Sequence, residues 1–197
     1  MQTYPDWRDC HKAPNSPVII GNDTVTRENV IINLPATHTT TIGSNCYIMN
    51  TVFIGHDSVL GDNVTVAPHA CIAGYVTIGD YSFIGMNSSI HQKSNIGKCC
   101  MIGAGSFFKG NSPDGITWAG VPAKPIKVNI IGICKSKLLN TEKENMISRA
   151  QLFIDTFESS SNIKTECGIA TPVNKTSNII FNCIRWLNIP NIFNKKL

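Results

Sequence analysis

Apolar residues recur at every sixth position from Ile42 to Phe108: Ile42, Ile48, Ile54, Leu60, Val66, Ile72, Ile78, Ile84, Ile90, Ile96, Ile102 and Phe108. Four residues after each stands a small or β-branched side chain, from Cys46, Val52 and Ser58 through to Cys100, Ser106 and Ser112. Glycine directly follows the apolar residue in seven of the twelve hexads, at Gly43, Gly55, Gly61, Gly79, Gly85, Gly97 and Gly103. Neither the 3.6-residue period of a helix nor the alternation of a strand produces this pattern. A fixed short period marks a solenoid, in which each unit buries its apolar face against its neighbours. The large residue is expected to fill the axis of a narrow prism, with the small one where the wall turns. Glycine is expected to supply corner angles that a Cβ would oppose.

The flanks differ. Before Ile42 the phase is loose: Val18, Val30 and Ala36 keep it and Thr24 breaks it. Between the repeat and its end, KGNSPDG (109–115) carries turn residues. Beyond Lys127 the period stops. TEKENMISRAQLFIDTF (141–157) reads as a helix, with Thr141 and Glu144 as a capping box and Met146, Ala150, Phe153, Ile154 and Phe157 on one face. NIIFNCIRWL (178–187) fits a helix or a strand, and a helix is preferred.

Composition narrows the classes. Of 197 residues 42% are hydrophobic and 15% charged, enough apolar material for a sizeable core. The net charge of +4 is mild, and no basic block is interleaved with aromatics, so no nucleic-acid partner is expected. Residues 1–17 contain no apolar run of a signal peptide, and no stretch approaches the ~20 apolar residues of a membrane span. Eight cysteines without C-x-x-C spacing, in a chain read as unexported, suggest reduced thiols and a cytoplasmic setting.

From about residue 30 to 127, the repeat and the closing segment ITWAGVPAKPI (116–126), with its G-x-P-A-K element, resemble the hexapeptide-repeat acyltransferases. The resemblance implies an all-β fold, a left-handed parallel β-helix. Three hexads would make one triangular coil, so residues 18 apart stack. Twelve hexads give four coils, with a poorer coil before them. The expected organisation is a leader (1–17), a β-helix acetyltransferase domain (18–127) and a mostly helical carboxy-terminal extension (128–197). The extension would cover the end of the β-helix or contact a neighbouring subunit.

Within the repeat, His56 is the third residue of its hexad and points away from the axis, followed directly by Asp57. The stretch GHDSVLGDNVTVAPHACIAGYVTIGDYSFIG (55–85) is similar to the catalytic stretch of two groups: sugar N- and O-acetyltransferases, and the UDP-N-acetylglucosamine O-acyltransferases of lipid A synthesis. That resemblance implies His56 as general base, Asp57 as its orienter, and Gly74, 18 residues on, as backbone donor to the oxyanion. An amine or hydroxyl attacking a thioester must lose a proton, a task suited to imidazole. An adjacent carboxylate fixes the tautomer, and a rigid N–H stabilises the tetrahedral oxyanion. His38, 18 residues before His56, is expected to stack at the same edge and, with His69 and Tyr75, to face the acceptor. For His69 a structural role fits equally.

Acetyl-CoA is the expected co-substrate, lying between two subunits with Gly74, His91, Gly103, Ala104, Gly105 and Lys124 against it. His91 and Gln92 resemble the V-H-Q segment of the lipid A group. Gly103–Gly105 read equally as plain corner residues, and Lys124 as a solvated lysine.

The expected activity is acetyl transfer to the amine of an amino-sugar nucleotide, by direct attack without metal, in a cytoplasmic homotrimer. O-acetylation of a sugar or acyl transfer to a UDP-sugar is the alternative. Two features depart from the resemblance. Tyr75 stands where the lipid A group usually has a histidine. Only about 17 to 30 residues precede the coils, too few for the βαβ unit that holds the nucleotide in many sugar N-acetyltransferases. A γ-class carbonic anhydrase needs two zinc histidines five apart, which align here with His69 and Gly74, so one ligand is missing. A rigid scaffold or ice-binding face would repeat one outward residue type, which Ser44-Asn45, His56-Asp57 and Asp62-Asn63 do not. Cys71, Cys99 and Cys100 have no histidine placed in sequence to activate a thiol.

Overall fold

The computed structural model describes residues 17–166, with side chains through residue 160. The leader up to residue 16 and the segment 178–187 lie outside the described residues. Three short strands make each coil. They are β1 (Val18–Ile20), β2 (Val25–Thr26) and β3 (Ile31–Ile32), then β4 (Thr40–Ile42), β5 (Tyr47–Ile48) and β6 (Phe53–Ile54). The third coil is β7 (Val59–Leu60), β8 (Thr65–Val66) and β9 (Cys71–Ile72), and the fourth β10 (Thr77–Ile78), β11 (Phe83–Ile84) and β12 (Ser89–Ile90). The fifth is β13 (Asn95–Ile96), β14 (Met101–Ile102) and β15 (Phe107–Phe108). β16 (Asn111–Ser112) and β17 (Ile116–Gly120) begin a sixth, closed by β18 (Ala123–Val128), which pairs antiparallel with β17 around the cis Val121–Pro122 peptide. The coils stack as three sheets, all parallel apart from β18: sheet I is β1-β4-β7-β10-β13-β16, sheet II β2-β5-β8-β11-β14-β17-β18 and sheet III β3-β6-β9-β12-β15.

The stacking explains the hexad. Leu60 sits on Ile42, Ile78 on Leu60 and Ile96 on Ile78, eighteen residues per coil. The twelve apolar positions from Ile42 to Phe108 are all buried along the axis. The small residues four positions later, Ser112 apart, are buried at the turns, where two of the serines bond the neighbouring coil: Ser58 Oγ donates to the Ala73 carbonyl and Ser82 Oγ to the Gly97 carbonyl.

The glycines after the apolar residues act by a different route from the one expected. Left-handed angles fall two residues later, on Asn45, Asp57, Asn63, Tyr75 and their equivalents. At Gly55 and Gly79 an added Cβ would lie 2.6 Å and 2.7 Å from backbone of the next coil. Close approach between coils excludes a side chain there.

The first coil breaks the eighteen-residue register. β1, β2 and β3 pair with β4, β5 and β6 at a spacing of twenty-two, so Ile20, Thr26 and Ile32 are the true partners of Ile42, Ile48 and Ile54. Four extra residues are inserted at the corner between β3 and β4. Val30 thereby takes a small-residue position, and Thr24 accepts from the Cys46 N–H while donating to the Gly43 carbonyl. The last coil is shorter: Ser112 pairs with Ile96 and Trp118 with Ile102, sixteen residues on. The segment 109–115 therefore contains the last strand of sheet I rather than a loop alone. Ser112 faces inward and accepts from the Trp118 indole at 2.6 Å.

Two helices follow. α1 (Ile130–Lys135) is capped by Asn129, whose amide also donates to the Cys99 carbonyl and ties the helix to the fifth coil. α2 (Asn140–Glu166) contains the expected helix and runs further. Its start lies earlier than Thr141: the Glu142 carboxylate accepts the Leu139 N–H, in place of the expected Thr141–Glu144 box. Ala150 and Ile154 are buried, Met146 and Phe153 pack at the rim of the core and Phe157 remains exposed. The helix covers the last coil, with Phe153 6.1 Å from Trp118.

Candidate active site

The inserted residues lie at the edge where sheet III passes to sheet I. Successive coils place residues 33–39, His56–Asp57, Gly74–Tyr75, His91–Lys93 and Lys109 along this edge. Tyr75 N–H donates to the His56 carbonyl and Lys93 N–H to the Gly74 carbonyl, which fixes each corner on the one below.

His56 is 35% exposed at the side chain, while the Asp57 side chain is fully buried, and their Nδ1 and Oδ2 are 2.6 Å apart. Asp57 adopts φ 57°, turning its carboxylate under the inserted segment. Three consecutive backbone N–H groups donate to it: Ala36 to Oδ2 at 3.0 Å, Thr37 to Oδ1 at 2.8 Å and His38 to Oδ1. Thr37 Oγ1 adds a contact at 3.2 Å. Burial pushes the carboxyl up, but the His38 N–H, His56 and the Thr37 and Ala36 N–H groups outweigh it and hold it down at about 2. An ionised Asp57 accepts from Nδ1, which leaves Nε2 of a neutral His56 bare.

That nitrogen lies over Gly74, one coil up. A Cβ on residue 74 would fall 2.7 Å from His56 Nε2 and 2.8 Å from Cε1, so only glycine leaves the imidazole its place. The Gly74 amide occupies a corner position whose counterparts bind anionic oxygens. Ser44, Asp62 and Lys98 N–H groups donate to Asp62, Asp80 and Asp114 at 2.7, 3.0 and 2.7 Å. The residue above Gly74 is Gln92, so no aspartate of the next coil caps its N–H. Tyr75 stands edge-on to His56 at 5.1 Å between ring centroids, shares a 3.2 Å hydrogen bond with Thr37 and lies beneath Lys93 Nζ at 5.6 Å. His91 joins the same edge, with Nδ1 3.0 Å from the Gln92 carbonyl.

The structure therefore brings together His56, Asp57, Gly74 and Tyr75, and places His91 on the same edge two coils above His56. His38 is not stacked on His56 as expected. The four-residue insertion moves it into the segment over Asp57, where its backbone takes part and its side chain is exposed. His69 and Gly103–Gly105 lie on a different edge, between sheets II and III. Lys124, on β18 opposite Ala119, is near them: Ala119 Cβ is 3.0 Å from where a Gly103 Cβ would be. Cys99 and Cys100 are buried, and burial raises both thiols, Cys100 to about 12, while Cys71 is exposed on sheet III. Among the described residues no group of three His, Cys, Asp or Glu side chains could hold a metal ion. No helix among them is long and apolar enough to cross a membrane.

Thr37 and Lys93 carry no signal of their own in the sequence, and Ala36 enters there only as a residue that keeps the phase. The available signal is the break at Thr24, which a four-residue shift restores.

A stack of glycine-cornered hexads with a buried carboxylate holding an outward imidazole defines the class as a hexapeptide-repeat β-helix. The bacterial transferase hexapeptide family model (six repeats) matches residues 39–74 and 75–110. Residues 39–110 therefore carry the hexapeptide repeats of that family. It is 36% identical over 138 residues to an acyl-[acyl-carrier-protein]–UDP-N-acetylglucosamine O-acyltransferase from Herminiimonas arsenicoxydans, a match covering 68% of this chain and 52% of the relative. The chain spans about half the length of the curated relatives it matches. The UDP-N-acetylglucosamine acyltransferase of Campylobacter jejuni superposes with TM-score 0.64 at 26% identity, over 86% of this chain and 68% of that one. A variant of perosamine N-acetyltransferase from Caulobacter crescentus, in complex with CoA and GDP-perosamine, superposes with TM-score 0.51 at 26% identity, over 58% and 55%.

Proposed function

We propose that the protein is an acyltransferase that moves an acyl group from a thioester to a nucleotide sugar, with His56 as general base. One observation carries this reading: the His56 imidazole is clamped by an ionised Asp57 and aims Nε2 at the Gly74 corner. In the proposed reaction Nε2 takes the proton of the acceptor hydroxyl or amine as it attacks the thioester carbonyl. The Gly74 N–H stabilises the tetrahedral oxyanion. Collapse breaks the C–S bond, and the imidazolium returns the proton to the leaving thiolate. No covalent enzyme intermediate is involved; an acyl-enzyme trapped on any cysteine contradicts this route.

Two relatives support two versions of the donor and acceptor. Matches to UDP-N-acetylglucosamine O-acyltransferases extend over more of the chain than the perosamine superposition does. O-acylation from an acyl carrier protein is therefore the first version. The expected acetyl-CoA-dependent N-acetylation of an amino-sugar nucleotide is the second. Its support is the CoA-bound neighbour and Tyr75, which departs from the lipid A pattern. A homotrimer is part of the proposal. The Gly103–Gly105 and Lys124 group lies on a different edge from His56, so a donor on it reaches the base only across a subunit boundary. A monomer by light scattering contradicts this arrangement.

The test pairs acyl-carrier-protein thioesters and acetyl-CoA with UDP-N-acetylglucosamine and amino-sugar nucleotides, with product mass as readout. Acylated nucleotide sugar from one pairing supports the reading, and its position, O or N, selects the version. Turnover on none of the pairings contradicts it.

A further inference from the structure

The four-residue insertion at the first corner does more than close a coil. It interrupts the repeat at one place, and at that place three successive N–H groups converge on one carboxylate. In regular corners the N–H at the Asp57 position donates to a carbonyl of the coil below, as Tyr75 does to His56. Here the Asp57 N–H donates instead to Thr40 Oγ1 at 2.9 Å, so the insertion replaces the usual link and leaves the inserted segment free to fold around the side chain. Thr37 is the hinge of the arrangement. Its hydroxyl lies 3.2 Å from Asp57 Oδ1 and 3.2 Å from Tyr75 Oη, joining the carboxylate that holds one side of His56 to the ring that bounds another.

We infer that residues 33–39 form a positioning cradle for the His56–Asp57 pair, with Thr37 as the positioning residue that couples Asp57 to Tyr75. This rests on the reading of His56 as base. The cradle satisfies both carboxylate oxygens from one side: Oδ1 receives the Thr37 and His38 N–H groups, and Oδ2 receives the Ala36 N–H beside His56 Nδ1. The carboxylate cannot rotate without breaking several bonds at once, so the imidazole plane is fixed through it. Rigid placement of a catalytic group lowers the cost of reaching the reactive geometry.

The experiment compares wild type, Thr37→Val and Thr37→Ser, with His56→Ala as reference. Two readouts are taken on the full chain: steady-state kcat and KM, and the ¹⁵N imidazole spectrum, whose His56 signals are identified by their loss in His56→Ala. Thr37→Val is expected to lower kcat roughly tenfold with KM little changed, since one hydrogen bond to a charged group is lost. It is also expected to shift the His56 signals from a single Nδ1-protonated tautomer toward a mixture. Thr37→Ser is expected to restore both. A purely structural role would lower the melting temperature without rescue of the spectrum by serine. Retention of kcat within twofold in Thr37→Val overturns the inference. If His56→Ala itself keeps activity, the base reading falls instead. The spectrum alone then decides the cradle, and an unchanged His56 signature in Thr37→Val overturns it.

Discussion

At the scale of single residues, the site depends on one carboxylate and one missing side chain. Asp57→Asn keeps the shape but offers an amide where His56 Nδ1 and three N–H groups need an acceptor. Activity is expected to fall by about 10²–10⁴-fold, measured as kcat. The same carboxylate links stability to pH. Its folded pKa of about 2 lies below the ordinary 3.8, so its stabilisation is complete above about pH 4 and is lost as pH falls through about 2. The contribution is on the order of 2 kcal/mol. Thermal melts of wild type and Asp57→Asn should therefore converge as pH drops from about 5 to 2; a constant gap contradicts the assignment. Gly74→Ala probes the other half. Its Cβ would meet the His56 side chain rather than backbone. The fold should persist while kcat falls, because His56 must swing away. The His-Asp-Gly relation was legible in sequence because its members are a fixed number of residues apart within a regular repeat. Thr37 was not, because the inserted residues that bring its N–H and hydroxyl to Asp57 lie outside the six-residue spacing.

At the scale of elements, the corners separate two uses of glycine. Gly79→Ala would force a Cβ to 2.7 Å from the Gly97 backbone, and Gly105→Ala meets open space at φ +66°. Overpacking against backbone typically costs about 1–3 kcal/mol or more, and a left-handed alanine about 1 kcal/mol. Chemical denaturation should show Gly79→Ala as the more damaging; equal losses would contradict the packing explanation. The hexad spacing revealed the coils, but a glycine after the apolar residue is compatible in sequence with either close approach or a special backbone angle; the left-handed angles in fact fall two residues later. The first coil was misphased for a related reason. Stepping back by six from Ile42 assumes no insertion and lands on Val30 and Val18, equally apolar, where Ile32 and Ile20 are the register partners. The α2 start was displaced because Glu142, not Glu144, reaches the first free N–H.

At the scale of the whole molecule, α2 covers the last coil of the prism, and among the described residues nothing packs over the first. The His56–Asp57–Gly74 arrangement lies on one of its edges. Fold and edge followed from a period that twelve hexads repeat without interruption. The division of the other expected site residues between two edges did not, because a hexad count gives height along the axis more readily than it shows which edges face each other in an assembly. The central claim is that His56 removes the acceptor's proton. The most direct measurement is kcat for acyl transfer to a nucleotide sugar in His56→Ala, with circular dichroism and the melting temperature matched to wild type. A fall of at least about 100-fold in a folded variant is the predicted result. A folded His56→Ala protein that transfers acyl groups at near the wild-type rate would contradict it.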